Sequence, residues 1–170
     1  RSQAFSSVNY PDLAVVQDGH LLQYIRCPAA EKPTFYDVLD DNVGLLKLIP
    51  GTKPKLVAFM AQHYDALIIE SFGVGGLPEY GDLYGILRGA VERGRILVMT
   101  TQVPNEGSDL SVYHVGGHLK QTLRLLEAYD MTTEAAVAKL MWIMGRTHDF
   151  AEAEQLFYAP VAGDILYSSE

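Results

Sequence analysis

Ser71-Phe72-Gly73-Val74-Gly75-Gly76 lies between a run of aliphatic residues and a helical pattern. There a chain can offer free backbone N–H groups to an anion. A dinucleotide fingerprint would need a third glycine where Pro78 stands, and no Walker lysine follows. The glycines therefore read as backbone room for a tight turn. His114 and His118 are four apart, a spacing that on a helix aims two imidazoles at one metal. Gly116-Gly117 stands between them, no Cys or carboxylate stands at matching spacing nearby, and no metal site is expected. Ser71, Ser108 and Ser111 have no histidine at a spacing that identifies a triad, and there is no Gly-x-Ser-x-Gly elbow. Cys27 precedes Pro28 with nothing in sequence that would activate a thiolate. Asp40-Asp41 and Asn105-Glu106 fit turns before they fit paired acids, and His20, His63 and His148 are isolated. No catalytic set emerges from the residues alone.

The elements that would position any site follow a repeated order: a short apolar run, a turn rich in Gly or Pro, then a helical pattern. That order predicts parallel strands joined by helices. Val43, Leu45, Leu46, Leu48 and Ile49 read as a strand covered on both faces, followed by Pro50-Gly51 and a helix that Thr52 caps. Ala66-Leu67-Ile68-Ile69 is the second strand. Its helix is expected to start near Pro78 and to carry Tyr80, Leu83, Tyr84, Leu87, Ala90 and Val91 on one stripe.

Ile96-Leu97-Val98-Met99 is the third strand, with a polar loop from Thr100 to Ser111 and then Leu119, Leu123 and Leu126 at helical spacing. A last long helix runs from Thr132 as cap to Gly145 as a left-handed terminator, with Glu134 in its first turn. Its Val137, Leu140, Met141, Trp142, Ile143 and Met144 fit either core or a dimer face. A short helix should follow before Tyr158, and Ala159 to Glu170 reads as a fraying tail. The expected architecture is α/β: a three-layer open parallel sheet of about four strands with helices on both faces. The expected division is a linker with short edge strands over 1–33, the α/β domain over 34–158 and a tail over 159–170. An open parallel sheet presents ligands to the C-terminal ends of its strands, here Ser71 to Pro78 and Thr100 to Ser111.

The 170 residues, 48% hydrophobic and 20% charged, suffice for one sizeable core. A net charge of −8 works against binding nucleic acid or an anionic membrane, both of which need clustered Lys and Arg. A single cysteine cannot form an internal disulfide and fits a reducing compartment, so a cytoplasmic setting is expected. No apolar run is long enough to span a bilayer and no signal peptide is visible. The chain begins without Met, which raises the expectation that it is a segment of something longer.

Three stretches together resemble the asparaginase family, in particular its type I cytoplasmic branch. They are Asp65-Ala-Leu-Ile-Ile-Glu-Ser-Phe-Gly-Val-Gly-Gly-Leu-Pro78, Gly94-Arg-Ile-Leu-Val-Met-Thr-Thr-Gln-Val-Pro104 and Asp130-Met-Thr-Thr-Glu-Ala-Ala-Val-Ala-Lys-Leu-Met141. Ala4-Phe-Ser-Ser-Val-Asn-Tyr-Pro-Asp-Leu13 is similar to the handover into that family's C-terminal domain. The resemblance implies an amidohydrolase that attacks the asparagine side-chain amide with a threonine nucleophile, through an acyl-enzyme, and needs no cofactor. The nucleophile would belong to an N-terminal catalytic domain, so this segment alone would be inactive. Its implied jobs are to pack on that domain, build a homodimer or dimer of dimers, and lend loops that close a neighbouring subunit's site. The candidate substrate-site residues are Ser71, Gly73, Gly75, Gly76, Asn105, Glu106 and Asp109.

Three positions depart from the type I pattern. Gly76 stands where relatives typically have an Asn that reaches across the subunit boundary. Glu70 and Val103 stand where some type I enzymes use an Arg and a Cys to bind a second asparagine as effector, so no such regulation is expected. Two alternatives accompany this reading: a stand-alone binding or assembly module of the same fold, and the asparaginase-like subunit of an archaeal glutamyl-tRNA amidotransferase.

Overall fold

The computed structural model describes residues 11–26, 32–73, 76–78, 80–103, 107–108 and 123–166. Two short strands, β1 (Ala14–Gln17) and β2 (His20–Gln23), pair antiparallel across Asp18-Gly19, whose φ values are both positive, +50° and +78°. Asp-Gly flanked by Ala-Val-Val-Gln and His-Leu-Leu-Gln is a strong hairpin signal. The expected edge strands thus pair with each other in a sheet of their own and do not extend the main one.

The main sheet is parallel, with the order β3 (Val43–Lys47), β4 (Ala66–Ser71), β5 (Ile96–Thr101) and β6 (Leu126–Glu127). Side chains alternate across a strand, so each strand feeds two cores. Leu67, Ile69, Leu97 and Met99 pack beneath α1 (Pro54–His63) and α2 (Leu83–Glu92). Ile68, Val98 and Leu126 pack beneath α3 (Thr133–Met144) and α4 (Phe150–Tyr158). The three-layer α/β architecture with about four parallel strands is therefore observed.

Several local expectations are corrected. β3 is an edge strand, and only part of it is covered on both faces: Leu46 is buried, whereas Leu45 is 46% exposed. Thr52 does not cap α1. Its Oγ1 accepts the Ile49 N–H (2.9 Å) and donates to the Ile49 carbonyl (2.8 Å), which closes the Pro50-Gly51 turn and leaves Lys53 at the N-cap. α2 starts five residues after Pro78, because Asp82 supplies a side-chain acceptor for the Gly85 N–H (3.1 Å). Leu123 and Leu126 are not on a helix. Leu123 and Leu125 face the α1/α2 core while Leu126 and Ala128 face the other, the period of two expected of a strand. Leu119 lies outside the described residues.

α3 has the expected Thr132 cap, with Thr132 Oγ1 accepting the Ala135 N–H (3.2 Å), and Glu134 in its first turn. Its Leu140, Ile143 and Met144 are core, and Val137, Met141 and Trp142 pack on that core from its margin. Gly145 is right-handed, at φ −66°. Glycine is needed there for close approach, since a Cβ would meet the Val38 carbonyl oxygen at 2.7 Å. Residues 159–166 do not fray: Ile165 is buried, Lys139 Nζ donates to the Ala159 carbonyl (2.8 Å) and pairs with Asp164 (2.8 Å), and the Leu166 N–H donates to Asp130. Among the described residues no helix is long and apolar enough to cross a membrane.

Candidate functional site

The C-terminal ends of β3, β4 and β5 meet at one edge of the sheet. The ladder between β4 and β5 ends at the pair Ser71 and Thr101. Apolar residues fill both strands up to Ile69 and Met99, and hydroxyl, carboxylate and amide side chains then take over at Glu70, Ser71, Thr100, Thr101 and Gln102. That change of chemistry is what lets the edge carry polar work on an apolar scaffold.

Ser71 is buried and its Oγ donates to the Thr100 carbonyl (2.9 Å). The Thr101 hydroxyl donates to the Gly73 carbonyl and accepts the Val103 N–H (3.1 Å). The Gln102 N–H donates to the Ser71 carbonyl (3.0 Å), and its side-chain amide donates to the carbonyls of Leu48 (2.6 Å) and Glu70 (3.2 Å). Gln102 thus fastens the ends of three strands. Gly73 sits at φ +51°, which glycine adopts at no steric cost.

Beside these loops lies a cleft of about 390 Å³, lined on one side by Leu45, Lys47 and Glu70 and on the other by the start of α3. Thr101, Gln102 and Val103 form its floor, and Thr132, Thr133 and Glu134 its far wall. Lys47 and Glu70 are register partners on adjacent strands and form an ion pair at 3.1 Å, with Thr133 Oγ1 donating to Glu70 at 3.4 Å. The two positions singled out as departures from the type I pattern, Glu70 and Val103, therefore share one cleft. Lys47 and the Thr133 hydroxyl were not singled out in sequence. The signal for Lys47 was its place at the end of an apolar run, matching that of Glu70.

Of the candidate site residues, Ser71, Gly73 and Gly76 are described; Ser71 ends β4, and the two glycines belong to the loop after it. Gly75, Asn105, Glu106 and Asp109 lie outside the described residues, as do His114, His118, Ser111 and Cys27. At the far end of the second loop Gly107 and Ser108 are buried, and the Ser108 N–H donates to the Tyr129 carbonyl (2.8 Å). Among the described residues Ser108 Oγ finds no hydrogen-bond partner. Asp40 behaves as a turn carboxylate, accepting the Asn42 N–H (2.9 Å). Among the described residues no group of three or more His, Cys, Asp or Glu could hold a metal ion.

The fold and edge define a class: a parallel α/β domain whose polar, loop-lined edge brings no self-contained catalytic set among its described residues. Residues 42–157 match the Glutaminase/Asparaginase C-terminal domain, and the chain belongs to that family. It is 36% identical over 163 residues to an L-asparaginase of Thermococcus kodakarensis, a match covering 95% of this chain and 49% of the relative. It is 30% identical over 170 residues to a glutamyl-tRNA(Gln) amidotransferase subunit of Pyrococcus furiosus, covering 97% and 38%. The solved structure of the thermostable T. kodakarensis L-asparaginase superposes with a TM-score of 0.88 at 35% identity, over 97% of this chain and 50% of that one. L-asparaginase I of Vibrio cholerae O1 gives 0.77 at 28% identity, over 96% and 50%. The chain spans about half or less of the length of these relatives.

Proposed function

We propose that this chain is the C-terminal domain of a longer amidohydrolase that converts L-asparagine and water to L-aspartate and ammonia. The observation that carries this reading is the 36% identity to an L-asparaginase across 95% of the chain. The nucleophilic threonine is supplied by an N-terminal domain, and this chain contributes packing surface and the loops after β4 and β5. Ser71, Gly73, Gly75, Gly76, Asn105, Glu106 and Asp109 are the proposed substrate-site positions, with residues 1–33 as the linker to the catalytic half. The reaction needs no cofactor, and the enzyme works as a homodimer or dimer of dimers in the cytoplasm, where a lone cysteine stays reduced.

The intact mass of the native gene product is the first check: a value about twice the 18.8 kDa of this chain fits a second domain of ordinary size. The intact protein should release aspartate and ammonia from asparagine in equal amounts, and this chain alone should release neither. A native product of 18.8 kDa would move the reading to a non-catalytic assembly module.

A second reading has its own support in the 30% identity to the amidotransferase component. Ammonia release that requires a partner protein and glutamyl-tRNA(Gln) would favour it.

A further inference from the structure

At the end of the β4–β5 ladder, regular pairing leaves two backbone groups without a ladder partner, the Gly73 carbonyl and the Val103 amide. One hydroxyl serves both: Thr101 Oγ1 donates its proton to the first and accepts the second at 3.1 Å. Ser71 reciprocates from the other strand, its hydroxyl donating to the Thr100 carbonyl at 2.9 Å. Ser71 and Thr101 are both buried, so these bonds are shielded from competition with water. Valine at position 101 would keep the volume and the β-branch and lose both bonds. The loops after β4 and β5 are thereby joined beyond the point where strand pairing stops, through an atom that belongs to neither turn.

We propose that Thr101 is a positioning residue, locking the Ser71–Gly73 turn to the Gln102–Val103 start of the next loop so that both loops present their groups to substrate as one unit. The inference rests on the reading that these loops meet the substrate, and its test separates the two. The intact protein is compared with Thr101→Val, Thr101→Ser and Thr147→Val. Thr147 is a buried threonine whose Oγ1 accepts the Asp149 N–H (3.1 Å) after α3, away from both loops, so it controls for general loss of a buried hydroxyl.

In amide hydrogen exchange, Thr101→Val should speed exchange of Phe72, Gly73, Gly76, Leu77 and Val103 by about tenfold, the scale of one or two lost buried hydrogen bonds. Thr101→Ser should restore protection, and Thr147→Val should leave these amides unchanged. In the asparaginase assay Thr101→Val should raise KM about tenfold. Thr101→Ser and Thr147→Val should stay within about twofold of the parent. If valine is not tolerated at 101, Thr101→Cys, with only a weak sulfur donor and acceptor, should give intermediate exchange and KM.

The proposal is overturned if Thr101→Val leaves exchange at Phe72, Gly73, Gly76, Leu77 and Val103 unchanged, or if serine fails as badly as valine. An intact protein with no amidohydrolase activity would sink the proposed function, and the exchange result would then decide the role of Thr101 by itself.

Discussion

Gly107 is held at φ +70°, and a Cβ built on it would lie 2.6 Å from the Tyr129 carbonyl oxygen, a backbone atom that cannot swing away. Tyr129 itself has a positive φ, +48°, and accepts the Ser108 N–H, so both sides of the contact are fixed. Gly107→Ala should therefore destabilise the protein by about 2 kcal/mol, combining a disfavoured backbone conformation with a steric displacement. Urea unfolding checks this, and a change below about 0.5 kcal/mol would contradict it. Lys139 is a second residue whose environment sets its worth. Its side chain is 4% exposed, and its Nζ is held by Asp164 and the Ala159 carbonyl. Lys139→Met keeps the stem but leaves a largely buried carboxylate without its cation. A loss of about 3 kcal/mol is expected by chemical denaturation, together with early proteolysis in 159–166.

Among the elements, α3 connects the cleft to the segment before β3, since its first turn walls the cleft and its last turn abuts residues 36–40. Tyr36 stacks edge-on against Trp142 at 5.6 Å, Arg146 lies over both rings, and the Asp40 N–H donates to the Met141 carbonyl at 3.0 Å. Gly145 lets the Val38 carbonyl approach this helix end. Gly145→Ala must push 38–39 outward and should cost about 1–3 kcal/mol, with an altered near-ultraviolet signal from Trp142. A glycine needed only for a left-handed cap would leave the Trp142 environment unchanged.

The strands β4 and β5 and the helix α3 were legible in sequence because apolar period, caps and flanking turns agree there. β6 was missed because Leu123 and Leu126 happen to be three apart, while the alternation of Leu123 and Leu125 that marks a strand is only two residues long. The start of α2 was misplaced because Pro78 suits a first turn, yet Asp82 offers the capping oxygen. The two loops proposed for the site are expected from strand ends alone. The bonds of Thr101 and the pairing of Lys47 with Glu70 depend on register between strands, which local pattern does not encode.

At the scale of the whole molecule, the cleft bears on how the proposed enzyme would be regulated. An amino-acid effector brings a carboxylate, which an unengaged cation would favour. Lys47 lines this cleft, but its Nζ lies 3.1 Å from Glu70, and Glu134 adds a second acidic group to the same lining. Two carboxylates and one lysine leave the lining one negative side-chain charge in excess, so a third carboxylate would enter against that charge. Val103, also in the lining, offers no polar group from its side chain. On the proposed function, the intact protein is therefore expected to respond to asparagine hyperbolically, with a Hill coefficient of about 1, because an effector that does not bind shifts no equilibrium. Initial rates across a wide asparagine range provide the measurement. A sigmoidal curve would contradict this expectation, and loss of the cooperativity in Lys47→Met with the maximal rate unchanged would then place the effector at Lys47.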